Sequence, residues 1–433
     1  MSKQMREMKD SGIEWIGEIP KEWEICSTKR FFRHTKTIVG KDFNSYDRLA
    51  LTMNGVIKRN KDDSDGLQPE KFDTYQILRE NEMVFKLIDL ANVKTSRVGL
   101  SPYTGIVSPA YVVLTNKSKD NRFYYYYFMS MYYNEIFNNI GDNGVRSSLN
   151  SQQLLSVPIV DVPTETQHRI ADYLDDKCGK IDRYIEQQKQ VIEKLKAYKQ
   201  SVITEAVTKG LDPTVPMKDS GVEWIGEIPE SWVVVKATRL IISTQNGLTR
   251  RDLEKSNGNI VLKLRNINSR GEIDYSEVNR IVLSSKEVES YQLIDGDFLF
   301  VRVNGSRSLV GKCAIYNGIS EIVAYNDHII RVRLNNFCDK DFFKWFLLSD
   351  VGKKEIDIHT STSAGQFTIS GDGLRNLNVI LPKKEIQREI VVYLNQKCSS
   401  IDFAIEKKQA LIEKLTEYKK SLIYEVVTGK KEV

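Results

Sequence analysis

The chain repeats itself. Residues 8–20, MKDSGIEWIGEIP, return as residues 217–229, MKDSGVEWIGEIP, at an offset of 209, with Ile13 replaced by Val222. A second match, at an offset of 220, joins QHRIADYLDDKCGKIDRYIEQQKQVIEKLKAYKQSVITEAVTKG from Gln167 to QREIVVYLNQKCSSIDFAIEKKQALIEKLTEYKKSLIYEVVTGK from Gln387. Repetition on this scale confines the 433 residues to a tandem duplication. Between the matching blocks, stretches of about 140 residues near 21–160 and 230–380 share almost no sequence although they fill the same slot. Similar frames with dissimilar inserts point to two modules doing one job on different targets.

The blocks at Gln167 and Gln387 read as long helices. Apolar positions in the first fall at Leu174, Cys178, Ile181, Ile185, Ile192, Leu195, Val202 and Ala206, with steps of mostly 4 and 3, and Gln188 and Lys199 as polar breaks. The second repeats the seam at Leu394, Cys398, Ile401, Ile405, Ile412, Leu415, Leu422 and Val426, with Lys408 and Lys419 as breaks. Pro163 and Pro382 with acidic first turns precede the helices, and Gly210 and Gly429 stop them. At 1.5 Å per residue, about 40 residues make a rod of roughly 60 Å. Each seam requires a partner; antiparallel pairing of the two is the simpler arrangement, and a parallel one would use the second insert as the return connection.

The inserts are mixed. Alternation in 259–266, 297–303 and 328–334 predicts strands, while Phe123–Tyr133 and Asp341–Leu348 predict short buried helices on a sheet. The fold class is therefore α+β: two mixed α/β domains in tandem, separated and joined by two long helices packed as an antiparallel coiled coil.

Catalytic signatures are few. Gly305 to Cys313 has five residues between its glycines where a phosphate loop needs four, and Cys313 where a magnesium-binding hydroxyl belongs. The four histidines are scattered, and the five cysteines form no CxxC pair. Cys178 and Cys398, at matching places in the two seams, read as small apolar packing. No metal site is expected, and catalysis is expected to reside in another chain. No apolar run approaches the 18 to 20 residues of a membrane span, and MSKQMREMKD lacks a signal-peptide core, so a cytoplasmic protein is expected.

Basic and polar residues concentrate at predicted strand ends and loops. In the first insert they are Lys58, Arg59, Lys94, Ser96, Arg97, Arg146 and Ser147. In the second they are Arg251, Lys263, Arg265, Asn266, Arg302, Asn304, Ser306, Arg307 and Gln366. Arg, Asn, Gln and Ser can pair with base edges in the major groove, and Lys and Arg neutralise phosphates. Singly each reads as a solvated side chain; as a set in two diverged inserts they favour nucleic acid, and the expected partner is double-stranded DNA. The net charge of +5 fits recognition by local patches.

These residues carry a resemblance. Ser11 to Trp23, repeated at Ser220 to Trp232, resembles the opening of a target-recognition domain in the specificity (S) subunits of type I restriction-modification systems. Leu293–Phe300 with Val310-Gly-Lys312, and Pro382 to Ile390 leading into Tyr-Leu and Lys-Cys-x-x-Ile-Asp, resemble the same family, and the likeness runs through essentially the whole chain. The first copy departs from it at Arg79–Phe85 and is one residue shorter between Pro163 and Ile170. The resemblance implies target-recognition domains over 1–162 and, with a linker, 211–381, and helices over 163–210 and 382–433. It implies a non-catalytic subunit that binds two methylation subunits along its helices and recruits restriction subunits. S-adenosylmethionine, ATP and magnesium would reside on those partners. Two domains on a rigid ruler would read two different half-sites around a fixed spacer. A protein-binding coiled-coil scaffold and a self-contained nuclease are the alternatives.

Overall fold

The structure is a computed structural model that describes residues 6–53, 55–61, 72–88, 90, 97–116, 118–140, 148–250, 257–268, 271–363 and 365–433. It divides into two compact units, residues 1–189 with 409–433, and residues 190–408. Each unit thus holds one insert, the N-terminal part of one long helix and the C-terminal part of the other.

In the first unit, strands Gly55–Arg59, Arg48–Thr52, Gly105–Val107 and Gln76–Leu78 form one sheet in that order. Arg48–Thr52 and Gly105–Val107 run parallel, and the other pairs antiparallel. A second, antiparallel sheet orders Arg33–His34, Val112–Thr115, Met83–Phe85 and Val98–Leu100. The helix Asn121–Tyr133 lies among these elements, its start capped by the Asp120 side chain, which accepts from the backbone N–H of Arg122. Tyr124, Tyr127 and Phe128 are fully buried in a core shared with Phe85, Ile159, Leu174 and Val426. The tyrosine run is therefore packing, and the Tyr124 hydroxyl donates to the carbonyl of Val160 at 3.1 Å.

The second unit repeats this plan with different residues. Its antiparallel sheet orders Ile241–Asn246, Ile329–Leu334, Phe298–Val301 and Cys313–Ile315. A three-stranded sheet orders Asn279–Ile281, Asn259–Leu262 and Val323–Tyr325, the last pair parallel. The helix Lys340–Leu348 buries Phe342, Phe343 and Phe346, and Asp339 caps it. A following helix, Asp350–Ile358, carries the buried Glu355, which accepts from the Trp224 indole at 2.7 Å and from Asn378. That bond ties the second copy of the repeated opening motif to the domain interior.

Two predicted strands are shorter than the alternation suggested. The 259–266 strand stops at Leu262, because the Asn266 side chain accepts from the Lys263 backbone N–H at 2.9 Å and winds Leu264–Asn266 into a 3-10 turn. The 297–303 strand breaks at Arg302, whose backbone N–H turns aside to His328; Val303–Asn304 then joins another sheet.

The long helices run Thr164–Lys209 and Lys384–Val427, and Gly210 and Gly429 follow them with φ of +81° and +75°. In the first unit Asp182 pairs with Lys419 at 2.7 Å, while Leu174 shares a core with Val426 and Val427. In the second, Lys199 pairs with Asp402 at 2.6 Å, while Ala206 shares a core with Leu394. As one segment is followed upward its partner is followed downward, so the pairing within each unit is antiparallel. Leu174, Ile192, Leu394, Ile401 and Ile405 are buried; Ile181, Ile185, Leu195, Ile412 and Leu415 are half-buried, because a two-helix seam covers one side of each. Two of the polar breaks, Lys199 and Lys419, are the cations of the cross-helix pairs.

Candidate nucleic-acid interface

Five of the candidate readers converge in the second unit. A small antiparallel sheet orders Val303–Asn304, Gln366–Thr368 and Ser361–Ser363, setting Asn304 opposite Phe367 and Thr362 opposite Phe367 on its other side. The sequence brings Arg302, Asn304, Ser306, Arg307 and Gln366 to this one sheet from segments some 60 residues apart. Its strands Ser361–Ser363 and Gln366–Thr368 form a ribbon with Gly365, φ +78°, between them, and Ser361, Thr362 and Gln366 are exposed.

Local hydrogen bonds fix the loop beside the ribbon. Asn304 accepts from the Ser306 backbone N–H at 2.9 Å, and the Ser306 and Ser308 hydroxyls are 3.0 Å apart. Arg302 is half-buried and donates to the Asp327 carbonyl at 3.0 Å. Arg307 is half-exposed and paired with Asp357 of the helix Asp350–Ile358. Behind that pair lies a cavity of about 670 Å³ lined by Asn268, Val310, Leu347 and Ile356, with Arg307 and Asp357 among its walls. Cys313 lines it too, its thiol pushed up to about 12 by burial, and burial lowers the Lys353 ammonium below the ordinary lysine value against the charge of Asp350.

The other candidates divide. Lys263 and Arg265 sit at the turn after Asn259–Leu262, Arg265 exposed and donating to Asn279 at 2.8 Å. In the first unit Lys58 and Arg59 end the strand Gly55–Arg59; Lys58 is exposed, 2.7 Å from Asp47 and over the Tyr103 ring. Two expectations are corrected. Asn266 is 2 % exposed and spends its amide on the carbonyls of Asp274 and Glu277, and Arg97 is 1 % exposed, donating to the carbonyls of Ile88 and Leu90. Both hold turns from inside and present no donor to a groove. Lys94, Ser96, Arg146, Ser147 and Arg251 lie outside the described residues.

The first unit has a pairing at the place of the small sheet. Ile88 bridges Ser148 shortly after the strand Met83–Phe85 and just before the helix Ser151–Ser156. Val303 pairs with Thr368 between the corresponding elements, Phe298–Val301 and Gly371–Arg375. Sequence reasoning missed Asp357 and Phe367, which have no polarity signal that links them to Arg307. Among the described residues no group of three or more His, Cys, Asp or Glu side chains is placed to hold a metal ion, and no helix is long and apolar enough to cross a membrane.

Comparison with known proteins agrees with this plan. The sequence model of the type I restriction modification DNA specificity domain matches twice, over residues 20–197 and 229–414. The chain is 30% identical over 303 residues to the type I restriction enzyme StySPI specificity subunit of Salmonella potsdam, covering 70% of this chain and 61% of that one. It is 28% identical over 283 residues to the EcoKI specificity subunit of Escherichia coli strain K12, covering 64% of this chain and 58% of that one. These matches span about 60% of the relatives' length. A chain from a structure of a type I R-M system, described for its complex assembly and conformational transition, superposes with a TM-score of 0.70 at 12% identity. That superposition covers 94% of this chain and 98% of the other, and it shows a shared fold.

Proposed function

Because the chain belongs to the type I restriction modification DNA specificity family, we propose that it is the DNA-reading subunit of a methylation and restriction complex, and that its two units read the two unlike halves of one bipartite target. The observation that carries this reading is the contrast within the chain: frame residues do the same work in both units, while the inserts differ. Asp182–Lys419 and Asp402–Lys199 are matching ion pairs in matching helices. The ribbon residues Ser361, Thr362 and Gln366 have no sequence counterpart around Ser148.

In this reading the chain itself catalyses nothing. Two methylation subunits dock along the paired helices and bring S-adenosylmethionine; restriction subunits join that core and bring ATP and magnesium. The helices fix the length of an unread spacer, and base edges are read by side chains on loops and on the ribbon while Lys and Arg position the phosphates. The methylation of adenine and the ATP-dependent cleavage belong to the partners.

Selection from random duplex DNA by this chain, co-expressed with its methylation subunit, tests the proposal. Two short unlike motifs at one constant spacing are expected among the retained molecules. Retention of bulk DNA without enrichment would sink the reading and leave a protein-binding scaffold.

A further inference from the structure

Arg307 is an exposed cation of the second unit that is held from two sides. Its Nε and one terminal nitrogen both donate to Asp357, the first to the carboxylate and the second to the backbone carbonyl at 3.1 Å. Its guanidinium also lies 5.9 Å from the centre of the Phe367 ring, on the middle strand of the small sheet. An Arg side chain ordinarily has many accessible rotamers, and holding it from two sides removes that freedom before any ligand arrives.

The way it is held decides what it can do. A guanidinium is a planar fork with five N–H donors. Asp357 occupies the side edge, formed by Nε and one terminal nitrogen, and leaves the end edge, formed by the two terminal nitrogens. No other partner for Arg307 exists among the described residues. Two parallel N–H groups at that spacing match the O6 and N7 acceptors of guanine in the major groove, the commonest specific Arg contact.

Stability does not explain the arrangement. The side chains of Arg307 and Asp357 are 47% and 46% exposed, where an ion pair contributes little. Nor does phosphate binding, since a carboxylate beside the guanidinium cancels most of its attraction for a phosphate. What remains is orientation. The adjoining ribbon, with Ser361, Thr362 and Gln366 exposed, has the two-stranded form that a major groove admits.

We propose that Arg307 reads a guanine in the half-site of the second unit, with Asp357 as the positioning residue that aims its end edge and the paired strands Ser361–Ser363 and Gln366–Thr368 as the element that enters the groove. This rests on the DNA-reading function above and adds the base, the residue and the geometry to it.

The test repeats the selection from random duplex DNA with four proteins, each co-expressed with the methylation subunit: wild type, Arg307→Ala, Arg307→Lys and Asp357→Asn. In wild type one half-site contains an invariant guanine. Arg307→Ala lowers the preference for that guanine by about 10- to 100-fold, the value of a good bidentate pair, and leaves the other half-site and the spacing unchanged. Arg307→Lys keeps the charge and the capacity to donate to O6 and N7 but loses the planar fork that Asp357 aims, so it weakens the guanine preference less than Ala does while retaining affinity for bulk DNA. Asp357→Asn weakens the preference in the same column of the motif, and thermal unfolding of all four proteins coincides. An unchanged motif in Arg307→Ala overturns the assignment while a bipartite wild-type motif upholds the underlying reading. Absence of any bipartite motif in wild type overturns both.

Discussion

Gln167 and Gln387 share two hydrogen bonds at the same point of the two units. Gln167 accepts from the backbone N–H of Asp120 at 3.1 Å and donates to the carbonyl of Val162 at 2.6 Å. Gln387 accepts from the N–H of Asp339 at 2.7 Å and donates to the carbonyl of Pro382 at 2.8 Å. Asp120 and Asp339 are the N-caps of the two aromatic helices, so each glutamine locks the start of an aromatic helix to the start of a long one. Both glutamines are buried, and the inserts diverge around a clamp that is retained in both copies.

Replacing Gln387 by Leu keeps the volume and takes the partner from the Asp339 N–H and from the carbonyls of Pro382 and Phe337, which costs about 1–3 kcal/mol. Urea unfolding of Gln387→Leu should show a midpoint lowered accordingly, with Gln167→Leu losing a similar amount. A midpoint equal to wild type would mean that water or a relaxed backbone satisfies those groups.

The cross-helix ion pairs and the apolar seam should differ sharply in weight. Lys199 and Asp402 are 27% and 50% exposed, so Lys199→Met should change stability by no more than about 1 kcal/mol. Leu394 is fully buried among Val207, Phe343 and Ile390, and Leu394→Ala should cost about 2–5 kcal/mol. Thermal unfolding of the two variants ranks them; a larger loss from Lys199→Met would show that charge, and not packing, holds the pair together.

The repeat and the seams were legible because repetition and a near-heptad period survive in a bare string of letters. The aromatic helices were legible for the same reason: rings at 123–128 and 342–346 leave no polar face wide enough for solvent. The reading site was legible only in part. Arg97 and Asn266 carry the chemistry of readers, yet each is consumed by backbone carbonyls a short way along the chain, and a polar side chain turned inward looks the same in sequence as one turned outward. The Arg307–Asp357 pair joins residues 50 apart on a loop and a helix, a separation that no local pattern encodes.

The cysteines should resist alkylation while the chain is folded. Burial pushes the thiols of Cys26 and Cys178 up to about 11, those of Cys313 and Cys338 up to about 12, and raises Cys398. The thiolate is the nucleophile, so at pH 8 iodoacetamide should label the native protein slowly and all five sites after denaturation. Mass spectrometry counts the adducts, and fast labelling of Cys313 or Cys338 in the native state would contradict their burial.

Acid should loosen the second unit through Glu287. The Ser284 backbone N–H, then Arg250 and then the Ser284 hydroxyl hold its carboxyl at about 2, below the ordinary glutamate value of 4.5. A depressed carboxyl favours the folded state above its unfolded pKa, so this contribution is complete above about pH 5 and is lost as pH falls from 4.5 towards 2. Glu287→Gln should remove it and flatten that limb of the acid-stability curve. Equal slopes for the variant and wild type between those pH values would show that Glu287 is not held in this way.

Changing helix length should change spacing and nothing else. Each long helix begins in one unit and ends in the other, since Thr164–Lys209 crosses the boundary at 189–190 and Lys384–Val427 the one at 408–409. Removing one heptad from each keeps the seam in register, because seven residues return the a and d positions to the same face. Seven residues rise about 10 Å, close to three base pairs at about 3.4 Å each. Selection with the doubly shortened chain should therefore return both half-site sequences intact with a spacer about three base pairs shorter. An altered half-site would mean that the helices shape the reading surfaces as well as the distance, and an unchanged spacer would mean that the helices are not the ruler.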